Sequence, residues 1–168
     1  MKPSPTAAQA HRPGRHLQLP DDPHHDAYFS LGKHAAPSLC TDCHAVFQHG
    51  HWAWGKAPAG ASATLCPACR RIREQQPGGY VTLEAALTAR ERDEMLRLLR
   101  HAEHRESIDH AMERIMDMTA QEGMLLVTTT SPHLAQTLGA AVERAFGGHA
   151  EYAFSRDEHL LRVHWQRE

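Results

Sequence analysis

The pattern of hydrophobic and polar positions from residue 80 onward predicts alternating strands and helices. Residues 80–83 form a short, mainly apolar run, and residues 87–106 repeat apolar side chains at the spacing of an amphipathic helix. Residues 112–119 fit either a strand or a helix. We predict a strand there, because a polar run ending in glycine and a clear strand at 124–129 follow, which favours a hairpin.

The remaining pattern predicts one more helix and two more strands. Ser131 and Pro132 are typical of a helix N-cap and first helical position, and Gly147 is a typical helix end. Apolar residues then alternate at 152–154 and 161–165 around a polar turn. The predicted order is β-α-β-β-α-β-β, an α+β fold with an open, mainly antiparallel sheet and two helices on one face.

Four cysteines precede this region as two C-x2-C pairs separated by 22 residues, Cys40 with Cys43 and Cys66 with Cys69. Two intervening residues aim both sulfurs of a pair at one ion, and two pairs complete a tetrahedron of thiolates. Four thiolates leave no open coordination position, so we predict structural rather than catalytic Zn²⁺. Iron or a reversible redox switch is the alternative.

The residues around the cysteines predict a small ribbon. Residues 45–48 and 51–54 flank His49-Gly50, which favours a β-hairpin, and residues 55–64 form a flexible loop. Pro77, Gly78 and Gly79 break the chain before the second region. The predicted organisation is a disordered leader over 1–25, a tether over 26–39, a zinc ribbon over 40–74 and an α/β sandwich domain over 80–168.

Composition and charge exclude three classes of protein. The 168 residues contain no apolar run of the roughly 20 residues that a membrane helix requires, and the polar N-terminus is not a secretory signal. We therefore predict a cytoplasmic protein. Residues 40–79 carry four basic and two acidic side chains, whereas residues 80–168 carry ten basic and fifteen acidic. A strongly basic nucleic-acid binder is excluded, and any such binding is expected to be local to the ribbon.

Basic and aromatic side chains are interleaved around the cysteines. Such a set can contact phosphates and stack on unpaired bases, as small RNA-binding modules do. An alternative is that the arginines offset the formal −2 charge of a zinc tetrathiolate and the tryptophans form the hairpin core. The candidate RNA-binding residues are Trp52, Trp54, Lys56, Arg70, Arg71 and Arg73.

A second candidate site lies where a strand runs into a helix. Thr130, Ser131 and His133 surround a predicted helix N-terminus, where free N–H groups can hold an anion, although a simple capping role for Ser131 is favoured. The chain contains no nucleophile elbow, kinase motif set or HExxH motif. We expect a protein that is not an enzyme and takes no small-molecule substrate.

Several motifs together resemble a family of small bacterial zinc-ribbon proteins, over roughly residues 26–166. That family is similar in turn to the N-terminal zinc-binding region of the large-ribosomal-subunit export adaptors of archaea and eukaryotes. The resemblance implies association with the ribosome or ribosomal RNA and zinc ligation by the four cysteines, although this chain lacks the adaptors' further domains. The motifs are Asp26…Tyr28…Gly32-Lys33, Cys40-x2-Cys43-x-Ala-Val-Phe, Gly50-x-Trp52-x-Trp54, Cys66-Pro67-x-Cys69-Arg70-Arg71-Ile72, Gly79-Tyr80-Val81-Thr82-Leu83 and Val127-Thr128-Thr129-Thr130-x2-His133-Leu134-Ala135.

The sequence thus favours a zinc-ribbon protein that binds RNA or the ribosome. The alternatives are an adaptor or regulator that docks a protein partner, and a thiol-based zinc redox sensor.

Overall fold

The computed structural model describes Leu19, Tyr28 and residues 37–168 of the chain. The predicted leader and tether therefore lie outside the described residues, apart from Leu19, Tyr28 and residues 37–39. The elements are β1 (Ser38–Cys40), β2 (Val46–Gln48), β3 (His51–Ala53), β4 (Ser62–Thr64), α1 (Pro67–Glu74), β5 (Gly79–Ala85), α2 (Ala89–Asp109), β6 (Ile115–Gln121), β7 (Met124–Thr129), α3 (Pro132–Phe146), β8 (His149–Ser155) and β9 (Leu160–Arg167).

Strands β1 to β4 and helix α1 make up the ribbon, residues 38–74. Its sheet has the order β3-β2-β1-β4, with β1 parallel to β4 and the other pairs antiparallel. The predicted hairpin is confirmed: β2 and β3 pair across His49-Gly50, and both turn residues have positive φ. Phe47 packs against Trp52 on the neighbouring strand, with ring centroids 5.5 Å apart, so a cross-strand aromatic pair stabilises the small sheet.

Strands β5 to β9 with α2 and α3 make up the α+β unit, residues 79–168. Its sheet has the order β6-β7-β5-β9-β8, in which β5 and β9 are parallel and the other three pairs antiparallel. Strand β7 lies between β5 and β6, which is the split β-α-β arrangement. The predicted α+β class and order of elements are confirmed.

The core of the α+β unit lies between its sheet and its two helices. Met95 and Leu99 of α2 and Leu134, Leu138 and Val142 of α3 are buried against the inward residues of the strands. Leu19 packs against the same core. The helices start where local signals place them: Thr88 and Glu91 form a capping box for α2, and Ser131 caps α3. Burial of these apolar faces is the main stabilising term for the unit.

One strand begins later than the sequence predicts. Strand β6 starts at Ile115 rather than at residue 112, because residues 111–114 form a connection in which Ala111 and Met112 pack against the ribbon. Ala111 and Met112 pack with the cysteines and Trp52 of the ribbon, so their apolar character serves a contact between the two parts.

Candidate metal centre

The four cysteines converge on one point. Their sulfur atoms all lie within 4.8 Å of one another, and the Sγ atoms of Cys43 and Cys66 are 3.7 Å apart. A tetrahedral zinc ion with Zn–S bonds of about 2.3 Å requires sulfurs about 3.8 Å apart. The chemistry and spacing of these donors therefore fit a single Zn²⁺ ion, and the cluster can hold a metal.

Local backbone geometry places each sulfur. Cys40 ends β1, Cys43 lies in the following turn, Cys66 is the N-cap of α1 and Cys69 lies in its first turn. The backbone N–H of Cys66 donates to the Sγ of Cys40, and that of Cys69 donates to the Sγ of Cys66, both at 3.3 Å. These N–H groups stabilise thiolate charge, which is the reason a C-x2-C turn at a helix start suits a metal.

The cysteines form a buried set, with Cys43 alone of the four at intermediate exposure. Hydrogen bonding with Cys66, assisted by the nearby Arg114 guanidinium, lowers the pKa of Cys43 to about 4. Burial raises the pKa of Cys69 to about 11. A bound Zn²⁺ ion would deprotonate all four thiols. Because redox sensing requires accessible thiolates, the burial of three of the four cysteines favours a structural centre.

Arg114 contacts the cysteine sulfurs, and the sequence did not predict this contact. Its Nη2 donates to the Sγ atoms of Cys43 at 3.2 Å and Cys66 at 3.4 Å, and its Nη1 donates to Cys69 at 3.3 Å. Arg114 lies in the turn before β6, 45 residues beyond the last cysteine. No local motif marks it.

The ribbon and the α+β unit meet at the same place. The indole Nε1 of Trp54 donates to the carbonyl of Ser107 near the end of α2, at 2.6 Å. The guanidinium of Arg114 lies 5.7 Å from the centre of the Trp54 ring. Arg114 thus sits between the sulfur atoms and Trp54, and the metal centre is part of the contact between the two parts of the chain.

Two of the six predicted RNA-binding residues are buried and have partners within the chain. Trp52 is 5% exposed and belongs to the ribbon core, so it has no free ring face. Arg71 is 6% exposed, donates to the carbonyl of Gln76 and lies 4.3 Å from the ring centre of Tyr28. Trp52 has the core role that the sequence offered as the alternative, whereas Arg71 contacts Gln76 and Tyr28 instead of the cysteine sulfurs.

The others remain at the surface. Arg73 makes two hydrogen bonds to Asp42, at 2.8 and 2.5 Å, but 61% of its side chain is exposed. Lys56 is exposed, Arg70 is half-buried and Trp54 is 44% exposed. The structure therefore leaves Trp54, Lys56, Arg70 and Arg73 accessible to a ligand.

Tyr28, in the predicted tether, contacts α1. Its hydroxyl donates to the Glu74 carboxylate at 2.6 Å, in addition to the contact of its ring with Arg71.

The hydroxyls of the predicted anion site are used internally. The Ser131 hydroxyl accepts the backbone N–H of Leu134, which confirms its capping role, and donates to the Glu113 carboxylate. The Thr130 hydroxyl donates to the Met112 carbonyl at 2.6 Å. The carboxylate of Glu113 thus takes the position expected for an external anion, while His133 remains exposed nearby. These contacts favour a structural role for the junction.

Comparison with known proteins identifies no relative: no family model, curated protein or solved structure matches the chain. Within the described residues, no helix combines the length and apolar character needed to cross a lipid bilayer.

Proposed function

We propose that this chain is a cytoplasmic, non-enzymatic zinc-ribbon protein that binds RNA, with the ribosome as its partner. Zn²⁺ held by the four cysteines has a structural role. The contact surface, here called the outer ribbon surface, consists of the four predicted RNA-binding side chains that remain accessible: Trp54, Lys56, Arg70 and Arg73.

The observation that carries this proposal is that Trp54 is exposed and held in place by a hydrogen bond. Its ring is 44% exposed, yet its Nε1 is fixed by the Ser107 carbonyl and Arg114 lies near its ring. An exposed indole that is already immobilised loses little conformational entropy when a base stacks on it. Lys56 follows two residues later and supplies a cation for the adjoining phosphate.

The charge of the ribbon supports the same proposal. Arg70 and Lys56 are basic residues that the cysteine cluster does not use, because Arg114 supplies the cation against the sulfurs. The acidic surface of the α+β unit restricts binding to a local contact rather than a continuous basic face. We therefore expect modest affinity for single-stranded or looped RNA.

A direct test measures the binding of zinc-loaded protein to a fluorescein-labelled RNA hairpin with an unpaired loop, by fluorescence anisotropy. Contacts from three cations predict a slope of log K against log salt of about −2. Trp54→Ala should weaken binding about 5- to 100-fold through lost stacking, whereas Trp54→Phe should retain most of it. Arg97→Ala, an exposed change on α2, is the charge-matched control for Arg70→Ala. RNA binding that does not weaken with added salt and is unchanged by Trp54→Ala would contradict the proposal.

Association with ribosomes is tested by sedimentation of cell lysate containing the tagged protein, with and without ribonuclease. Co-migration with ribosomal subunits that is lost at high salt and with Trp54→Ala is the expected result. Migration as a free small protein at low salt would contradict a ribosomal partner.

A protein partner is the second candidate, favoured by one observation. Trp54 contacts the Ser107 carbonyl, and the next residue in the chain, Ile108, is 58% exposed, so a second large apolar side chain is exposed next to the residue that Trp54 contacts. An adaptor would keep its partner after nuclease treatment and lose it with Ile108→Ser. RNA binding should be little changed by Ile108→Ser, so this variant separates the two functions.

A further inference from the structure

The guanidinium of Arg114 covers one face of the sulfur tetrahedron. Its donors contact Cys43, Cys66 and Cys69, which define that face, and they do not contact Cys40. Its Nε donates to the carbonyl of Ala111 at 3.1 Å, which fixes the plane of the guanidinium. A planar group with several fixed donors can reach three sulfurs at once, whereas the ammonium of lysine acts as a single point charge.

The backbone of Arg114 is tied to the α+β unit. Its N–H donates to the Thr130 hydroxyl at 2.9 Å, and the backbone N–H of Thr130 donates to the Arg114 carbonyl at 2.9 Å. Thr130 follows β7 directly and is buried. The backbone of one residue is thus held by the α+β unit while its side chain is held by the ribbon's sulfurs.

The electrostatics make this contact depend on the metal. Four thiolates around Zn²⁺ carry a formal charge of −2, and a partly buried cation beside them offsets one unit of it. Without the ion, no bond holds the four sulfurs in one cluster, so the three sulfur acceptors of Arg114 are no longer fixed beside its guanidinium. The attraction between the two parts is therefore strongest when the site is loaded.

We propose that Arg114 is a positioning residue that couples metal occupancy to the docking of the ribbon on the α+β unit. It retains the metal by stabilising the thiolates, and the loaded centre in turn holds the ribbon and Trp54 against the end of α2. Removal of the metal loosens this contact while the core of the α+β unit stays intact. This inference does not depend on RNA binding.

The first test measures transfer of Zn²⁺ from the full chain to a chromogenic chelator. Side chains that hydrogen-bond to metal ligands typically contribute 10- to 100-fold to metal affinity, so Arg114→Met should release zinc faster by about that factor. Arg114→Lys keeps the charge but not the three contacts, and its release rate should lie between those of Arg114→Met and wild type. Arg97→Met on the exposed face of α2 is the matched control and should release zinc at the wild-type rate.

The second test follows docking by hydrogen exchange and mass spectrometry. In zinc-loaded Arg114→Met, peptides covering 104–114 should exchange faster than in wild type, while peptides of β8 and β9 should not change. Chelation of wild type should give the same local increase. Equal zinc release and equal exchange in wild type and Arg114→Met would overturn the proposal. If Arg114→Met does not fold, Arg114→Lys decides: release and exchange at wild-type rates would equally overturn it.

Discussion

The turn that carries Arg114 depends on one buried hydroxyl, that of Thr130. This side chain is 4% exposed; its Oγ1 accepts the backbone N–H of Arg114 and donates to the carbonyl of Met112. Thr130→Val keeps the shape of the side chain but leaves the N–H of Arg114 and the carbonyl of Met112 without this partner. Each such loss costs about 1–3 kcal/mol when the group is fully buried; because both residues are only partly buried, we expect the free energy of unfolding to fall by about 2–4 kcal/mol.

Thr130→Ser is the control, because it keeps the hydroxyl and removes one methyl group, at a cost of about 1 kcal/mol. Urea unfolding of the zinc-loaded proteins, followed by circular dichroism, measures both changes. With an m-value of about 2 kcal/mol/M, the midpoint of Thr130→Val should fall by about 1–2 M. Zinc release should also accelerate, since the backbone of Arg114 is less constrained. The reasoning is refuted if Thr130→Val is no less stable than Thr130→Ser.

Three further changes test other parts of the structure. Cys66→Ser removes a metal ligand but keeps a side-chain oxygen that can cap α1, so it should abolish zinc binding and ribbon structure through loss of the metal, while the circular dichroism of the α+β helices persists. Collapse of the whole chain would contradict the division into two modules. Gly78→Ala places a Cβ atom 2.7 Å from the Thr130 carbonyl oxygen, which should cost about 1–3 kcal/mol in thermal unfolding, and an unchanged Tm would show that the backbone adjusts freely. Hydrogen bonding, first from the backbone of Thr88, lowers the pKa of Glu91 to about 2, so its stabilisation exists above the ordinary carboxyl pKa and is lost as the pH falls towards 2. Glu91→Gln should therefore lower Tm at pH 7 and have a smaller effect at pH 3; a constant deficit would assign the effect to shape rather than charge.

The predictable elements of the fold are those determined by residues that are close together in the sequence. The capping signal of Ser131-Pro132 and the alternation at residues 124–129 are set by neighbours in the sequence, and both elements appear in the structure as predicted. The start of β6 was not predictable in this way. Met112 packs against the ribbon. Its apolar side chain therefore extends the alternating pattern of the strand by sequence, although the residue lies before the strand.

The candidate metal centre also has a part that local sequence predicts and a part that it does not. The four sulfurs were predictable because each C-x2-C turn brings two ligands together by local geometry alone. Arg114 was not, because its distance in sequence from the ligands is set by the whole intervening fold. The sequence also suggested that arginines of the ribbon itself would offset the thiolate charge. Arg71 instead packs on Tyr28, and Arg73 pairs with Asp42.

Because Arg114, and not an arginine of the ribbon, contacts the sulfurs, zinc retention and RNA binding should depend on different residues. If Arg70 and Lys56 were needed to balance the thiolates, their removal would release zinc, and any loss of RNA binding would follow from unfolding. Because Arg114 makes the contacts to sulfur, Arg70→Ala and Lys56→Ala should leave zinc release unchanged while reducing the salt dependence of RNA binding by about 0.7 each. Arg114→Met should accelerate zinc release and weaken the fixing of Trp54, but it should leave the salt dependence of RNA binding unchanged, since it removes no cation of the outer ribbon surface. Variants that changed zinc retention and RNA binding together in every case would show that both depend on one surface.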